Sequence, residues 1–152
     1  MTGDVLHAVE IHADPRTVYD AVATQRGQTA FWTAEAIVQP SVGSIAEFAF
    51  PGAPARLKMR VERLEPDNRV EWLCLGDFPY WTGTRVTWEL QAAATPDHTT
   101  LLFSHSGWPA DYPREEFAHV NFTWGQIVAR LKVYAESGQP QPYFAAATAT
   151  QS

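Results

Sequence analysis

Apolar and polar positions alternate along most of this chain, and the period changes once, near its end. Val5, His7, Val9 and Ile11 alternate with Leu6, Ala8 and Glu10, which is the two-residue period of a strand. The same period returns over residues 43–50, 55–64, 69–75, 83–90 and 99–107. Pro51-Gly52-Ala53-Pro54 and Pro66-Asp67-Asn68 punctuate these runs, so neighbouring strands read as hairpins. Phe117, Asn121, Trp124, Val128, Leu131 and Ala135 then recur at steps of three and four. Such steps place them on one face of a long helix, which Gly138-Gln139-Pro140 stops.

Two short helices are expected after the first strand. Asp14 can accept hydrogen bonds from the first free amides of a helix, and Pro15 suits its first position. Val18, Tyr19 and Val22 give that helix an apolar side, and it ends near Ala23 or Thr24. Residues 28–32 read as a second turn of helix. The order is strand, short helices, five strands and long helix. A curved sheet needs a cover for its concave face, and one long amphipathic helix provides it. Where helix and sheet do not quite meet, a cavity lies between them.

Strand parity names the residues on that concave face. Phe48, Phe50, Leu57, Met59, Val61, Val70, Trp72, Cys74, Val86, Trp88, Leu90, Leu101, Phe103 and His105 fall on the helix side, whereas Leu73, Leu75 and Leu102 fall on the other. Two polar side chains sit among the apolar ones, His105 on the last strand and Asn121 on the helix. Buried, each must find a partner or cost roughly 1–3 kcal/mol. The partner is either a ligand's polar end or the backbone, each other or a trapped water. The tryptophans likewise either fill the core or wall a cavity. The candidate ligand-binding set is Phe50, Met59, Trp72, Trp88, Phe103, His105, Phe117, Asn121, Trp124 and Val128. Phe31, Trp32, Phe78, Tyr80 and Trp81 lie in or near connections, as the mouth of the cavity or as simple plugs. Gly125, in mid-helix, is accounted for by a close approach to a strand or by local tolerance.

Composition narrows the functions. The chain has 152 residues, enough for one domain with a real core, and residues 143–152 read as a tail beyond a domain spanning 1–142, its last few residues poorly ordered unless something holds them. Net charge is −6, and the eleven Lys and Arg form no basic stripe, which argues against nucleic-acid binding. The absence of a long apolar run argues against stable membrane insertion, and the absence of a basic-then-apolar leader points to the cytoplasm. A single cysteine, Cys74, permits no internal disulfide and reads as an inert buried thiol. No phosphate-binding glycine loop, His-Glu-x-x-His pair or nucleophile elbow occurs, and no cofactor is expected. His7, His12, His98, His105 and His119 are dispersed along the chain, so no metal site is expected.

Three segments carry a family resemblance. They are Glu10-Ile11-His12-Ala13-Asp14-Pro15-Arg16-Thr17-Val18-Tyr19-Asp20-Ala21, then Leu101-Leu102-Phe103-Ser104-His105-Ser106-Gly107-Trp108-Pro109, and the helix from Phe122 through Trp124 and Gly125 to Gly138. Together they resemble the START-like, or Bet v 1-like (SRPBCC), superfamily, in the branch homologous to the C-terminal domain of activator of Hsp90 ATPase. The resemblance implies an α+β helix-grip fold, an antiparallel sheet of six or seven strands wrapped round the closing helix. It also implies an internal cavity for an apolar or aromatic molecule, and it brings no general catalytic motif. Three functions follow as expectations. The first is a non-catalytic carrier or sensor of a small hydrophobic molecule. The second is an enzyme, such as a cyclase or dehydratase, using His105 as acid–base and Asn121 to orient substrate. The third is an interaction or co-chaperone-like module, monomeric or homodimeric through outward Leu73, Leu75 and Leu102.

Overall fold

The computed structural model describes residues 3–76 and 78–145. Strand β1 (Val5–Ile11) leads into α1 (Pro15–Ala23) and α2 (Gln25–Phe31). Six further strands follow: β2 (Glu35–Ile37), β3 (Ile45–Ala49), β4 (Leu57–Glu65), β5 (Arg69–Leu75), β6 (Arg85–Ala92) and β7 (Thr99–Ser106). Helix α3 (Arg114–Ser137) closes the domain. The seven strands form one antiparallel sheet in the order β1-β7-β6-β5-β4-β3-β2. Strands β2 to β7 run as a meander, and β1 joins on the outer side of β7. The three-residue β2 is too short to show an alternation in the sequence.

Local chemistry sets the helix ends. Asp14 Oδ1 accepts from the Thr17 amide at 2.8 Å, and those hydrogen bonds hold its carboxyl below the usual range. Thr24 Oγ1 accepts from the Gly27 amide at 3.2 Å and starts α2. Gly27 is there because α1 passes against it: a Cβ would lie 1.9 Å from the Ala21 carbonyl oxygen. Helix α3 follows Pro113, carries Glu115 and Glu116 in its first turn, and ends at Gly138 with φ of 75°.

The inward parity holds, with one shift. A bulge between Val61 and Arg63 turns the end of β4 over, so that Leu64, opposite Val70, also packs on the core. Tryptophans 32, 72, 88 and 124, with Phe31, Phe48 and Phe103, are the largest side chains sealed in the interior. The outer face of β4 to β6 is charged. Glu71, for example, receives Arg85 at 3.1 Å and Arg69 at 3.5 Å. Leu73 and Leu75 are half-buried on that face, and Leu102 is 39% exposed.

The face of α3 differs from the one expected. Its buried residues are Trp124, Ile127, Val128 and Leu131, and Asn121 is exposed. Each residue turns the helix by about 100°, which sets Asn121 roughly a quarter-turn from the middle of the buried stripe. Asn121 meets β1 through its backbone instead, where His7 Nε2–H donates to its carbonyl at 3.1 Å. The ring of His7 also explains Gly125, since a Cβ there would lie 3.2 Å from His7 Cε1. Further along, Lys132 Nζ donates to the Glu10 carbonyl at 2.8 Å, and the His12 amide donates to Glu136 Oε2 at 2.8 Å. The helix thus satisfies backbone groups on the free rim of β1.

The segment after α3 returns to the end of α2. Gln141, Tyr143 and Phe144 donate their amides to the carbonyls of Ala30, Phe31 and Trp32 at 2.7, 3.1 and 2.8 Å, and Phe144 bridges Thr33 in parallel. Tyr143 and Phe144, at the start of the expected tail, are therefore tied to the domain. Residues 146–152 of that tail lie outside the described residues.

Candidate functional site

Aromatic side chains fill most of the concave face, and space remains at one end. There a cavity of about 210 Å³ opens between α3 and the connections around it. Helix α3 contributes His119, Val120, Thr123, Trp124 and Ile127, at the three- and four-residue steps of one stripe. Trp32, at the end of α2, and Phe50, after β3, form the opposite wall. Phe78 and Trp81, from the β5–β6 connection, and Phe144 complete the lining. Neighbouring rings touch round the rim: Trp32 and Trp124 at 5.0 Å, Phe50 and Phe144 at 5.0 Å, Phe50 and Phe78 at 6.0 Å, Phe78 and Trp81 at 5.8 Å between centroids. Flat rings meeting at angles leave a gap that flexible aliphatic chains would close.

The ten candidate residues are not brought together. Phe50 and Trp124 line the cavity. Met59, Trp72, Trp88 and Phe103 are fully buried behind that wall, and Val128 lies buried one turn along α3. Phe117 packs elsewhere, against Trp108 and Tyr112 at 5.9 and 6.2 Å. The side chain of Asn121 is exposed on the flank of α3, so it does not line the cavity. His119, Val120, Thr123, Ile127 and Phe144 were missed. The first four follow helical steps to one another or to Trp124, a signal masked by phasing the stripe on Asn121. Phe144 carried no signal, because nothing local shows that the chain doubles back.

His105 lies behind the cavity wall and is sealed from solvent. The Trp124 indole N–H donates to its Nδ1 at 3.1 Å. Its Nε2 is 2.8 Å from Thr84 Oγ1, whose hydrogen goes to the Trp81 carbonyl at 2.6 Å. Thr84 therefore accepts from Nε2–H, and the ring is the neutral Nε2–H tautomer. Burial drives its pKa down to about 3. Both ring nitrogens are committed, so His105 is a structural joint linking α3, β6 and β7 and is not placed to exchange protons with a guest. The Cys74 thiol, 4.0 Å from His105 Nε2, is pushed up to about 11 by burial and stays protonated at neutral pH. A buried polar atom at the cavity wall is left over: the indole N–H of Trp32 has no acceptor among the described residues.

The dispersed histidines are not all apart in space. Beyond the end of β1, His12 stacks on His98 beside Glu10.

An antiparallel sheet gripping one long helix, with two short helices after its first strand, defines the helix-grip class. Residues 12–136 match the family model described as Activator of Hsp90 ATPase homolog 1-like protein, and the chain belongs to that family. Among solved structures, it is similar to the Aha1 dimer from Colwellia psychrerythraea, at 29% identity and a TM-score of 0.77, over 91% of this chain and 98% of that one. It is also similar to DynU16, a protein of the dynemicin biosynthetic locus, at 28% identity and a TM-score of 0.76, over 96% of this chain and 52% of that one. A Staphylococcus saprophyticus protein shares the fold at 15% identity and a TM-score of 0.74, over 93% of this chain and 98% of that one. No curated protein matches the chain. Among the described residues no helix is long and apolar enough to cross a membrane.

Proposed function

We propose that this chain is a non-catalytic binder of a small aromatic molecule, held between Trp124 of α3 and the ring of Trp32, Phe50, Phe78, Trp81 and Phe144. The observation that carries this reading is the cavity itself, about 210 Å³ with an almost wholly apolar lining. An apolar protein cavity of about 150 Å³ takes up benzene, so this one suits one or two fused rings and is small for a sterol or a long acyl chain. Binding is driven by apolar area leaving water, at about 25 cal/mol per Å² before ordering costs. The free indole N–H of Trp32 favours a ring bearing a hydrogen-bond acceptor. The sealed, neutral His105 supports a non-catalytic role.

Titration with quinoline and naphthalene, followed by tryptophan fluorescence and amide chemical shifts, tests this. Saturable binding is expected, with shifts centred on residues 120–127 and quinoline preferred. A Thr123→Trp variant, which fills the cavity from α3, should bind neither compound. Absence of binding by the natural chain, or undiminished binding by the variant, rejects the proposal.

A second reading is a homodimer through the outer face of β1 and β7. Leu6 is 58% exposed and Leu102 39%, and the β1–β7 register sets them diagonally on one face beside Ala8. The Colwellia relative is described as a dimer. Solution mass across a concentration series should fall to the monomer value in Leu102→Glu. A natural chain that is monomeric throughout rejects it.

A further inference from the structure

We propose that Glu10, His12 and His98 form a surface site for a divalent transition metal of the zinc, copper or nickel kind. Register brings the three together. Ile11 pairs with Thr99, and the same antiparallel pairing carried one step further sets His12 opposite His98. Glu10 lies two residues before His12, on the same outward face of the strand. The two imidazoles stack at 4.2 Å between centroids with their planes 9° apart, and His98 Nδ1–H donates to Glu10 Oε2 at 3.2 Å. One ligating atom from each residue lies within 4.8 Å of the others.

The backbone under two of these ligands is held in place. Lys132 binds the Glu10 carbonyl, and Glu136 binds the His12 amide and is itself paired with Lys132 at 2.6 Å. This second carboxylate beside the site offsets the lysine and leaves Glu10 as a local negative charge for a cation. Metal bonds of about 2.0–2.1 Å need ligand atoms about 3.4 Å apart in a tetrahedron, so the site must contract by little more than 1 Å. A metal also lies in the plane of each imidazole it binds, so the parallel rings must turn on their side chains. His12 is exposed and His98 half-buried, so neither ring is enclosed by the core. Two imidazoles and one carboxylate suit borderline metals rather than calcium or magnesium, which prefer all-oxygen shells. Three protein ligands leave at least one position for water.

Calorimetric titration of untagged protein with zinc chloride at pH 7.5 tests the site. One equivalent should bind, and His12→Ala and His98→Ala should each weaken binding about tenfold or more, a lost ligand costing no less than a lost supporting hydrogen bond. With copper(II), the electron paramagnetic resonance spectrum should show coupling to two imidazole nitrogens, reduced to one in either variant. Circular dichroism and quinoline titration of the same variants, expected to be unchanged, separate loss of the site from loss of the fold or of the cavity. Failure to bind both metals, or binding undiminished in the double variant, overturns the proposal.

Discussion

Trp124 donates its indole N–H to Nδ1 of His105 across 3.1 Å, joining the closing helix to the last strand through a single buried bond. The Trp108 indole adds a bond to the His105 carbonyl at 2.8 Å, so one residue position anchors two tryptophans. His105 is a polar pivot in a largely apolar interior, and its protonation is coupled to folding.

Stability should therefore depend on pH through His105. Its pKa is about 3 in the folded chain against about 6.5 when unfolded, so the unfolded state binds the extra proton between those values. Its contribution is complete above pH 6.5 and is lost as pH falls towards 3, at up to about 1.4 kcal/mol per pH unit. Urea denaturation of the natural chain and of His105→Gln at pH 7.5, 6 and 5 checks this. The natural chain should lose stability more steeply on acidification, and parallel curves would show that His105 protonates inside the fold.

Gly125 and His7 should be energetically coupled. Alanine at a helical glycine gains about 0.5–1 kcal/mol of helix propensity, but here its Cβ would press the His7 ring at 3.2 Å. Gly125→Ala should be close to neutral alone and stabilising by about 0.5–1 kcal/mol in a His7→Ala background. Denaturant midpoints of the four proteins give the coupling, and additive effects would deny the contact.

Gly27→Ala should behave very differently. The Ala21 carbonyl, 1.9 Å from the new Cβ, is backbone and cannot rotate away. A loss of about 3 kcal/mol or more is expected, at the upper end of overpacking effects, with α1 and α2 forced apart. Thermal melting measures it, and a drop of only a degree or two would contradict the close approach.

Phe144→Ala should open the cavity without unfolding the sheet. The ring lies 5.0 Å from Phe50 and sits at the wall, and it is half-buried, so its loss should cost about 1–2 kcal/mol rather than the larger sum of a core phenylalanine. Quinoline should then dissociate faster, with weaker affinity, in stopped-flow fluorescence. Unchanged dissociation would remove Phe144 from the wall.

Much of this architecture was legible because β4 to β7 have one polar and one apolar face, and a two-residue period records that directly. Trp72, Trp88 and Phe103 are inward as their parity requires. The short β2 has too few residues to repeat a pattern, and the bulge near Val61 reverses parity where no local residue marks it. The site was less legible than the fold. Asn121 and Val120 are adjacent in sequence, yet only the second reaches the cavity. The choice between them depends on how α3 rolls against β1, where the His7 ring lies against Gly125. His105 was found as a buried polar residue, but its pairing with Trp124 and Thr84 joins three elements and leaves no periodic trace. His12 and His98 were read as unrelated because strand register, not spacing along the chain, makes them neighbours.

Lys132 and Glu136 guard the rim of β1 against visiting chains as much as they fasten the helix to it. A lesion that lets the last turns of α3 peel away would bare main-chain donors and acceptors at the sheet's margin, ready to recruit another molecule edge to edge. The earliest symptom of such damage would be clumping of the protein, appearing while the aromatic chamber beneath Trp124 is still intact.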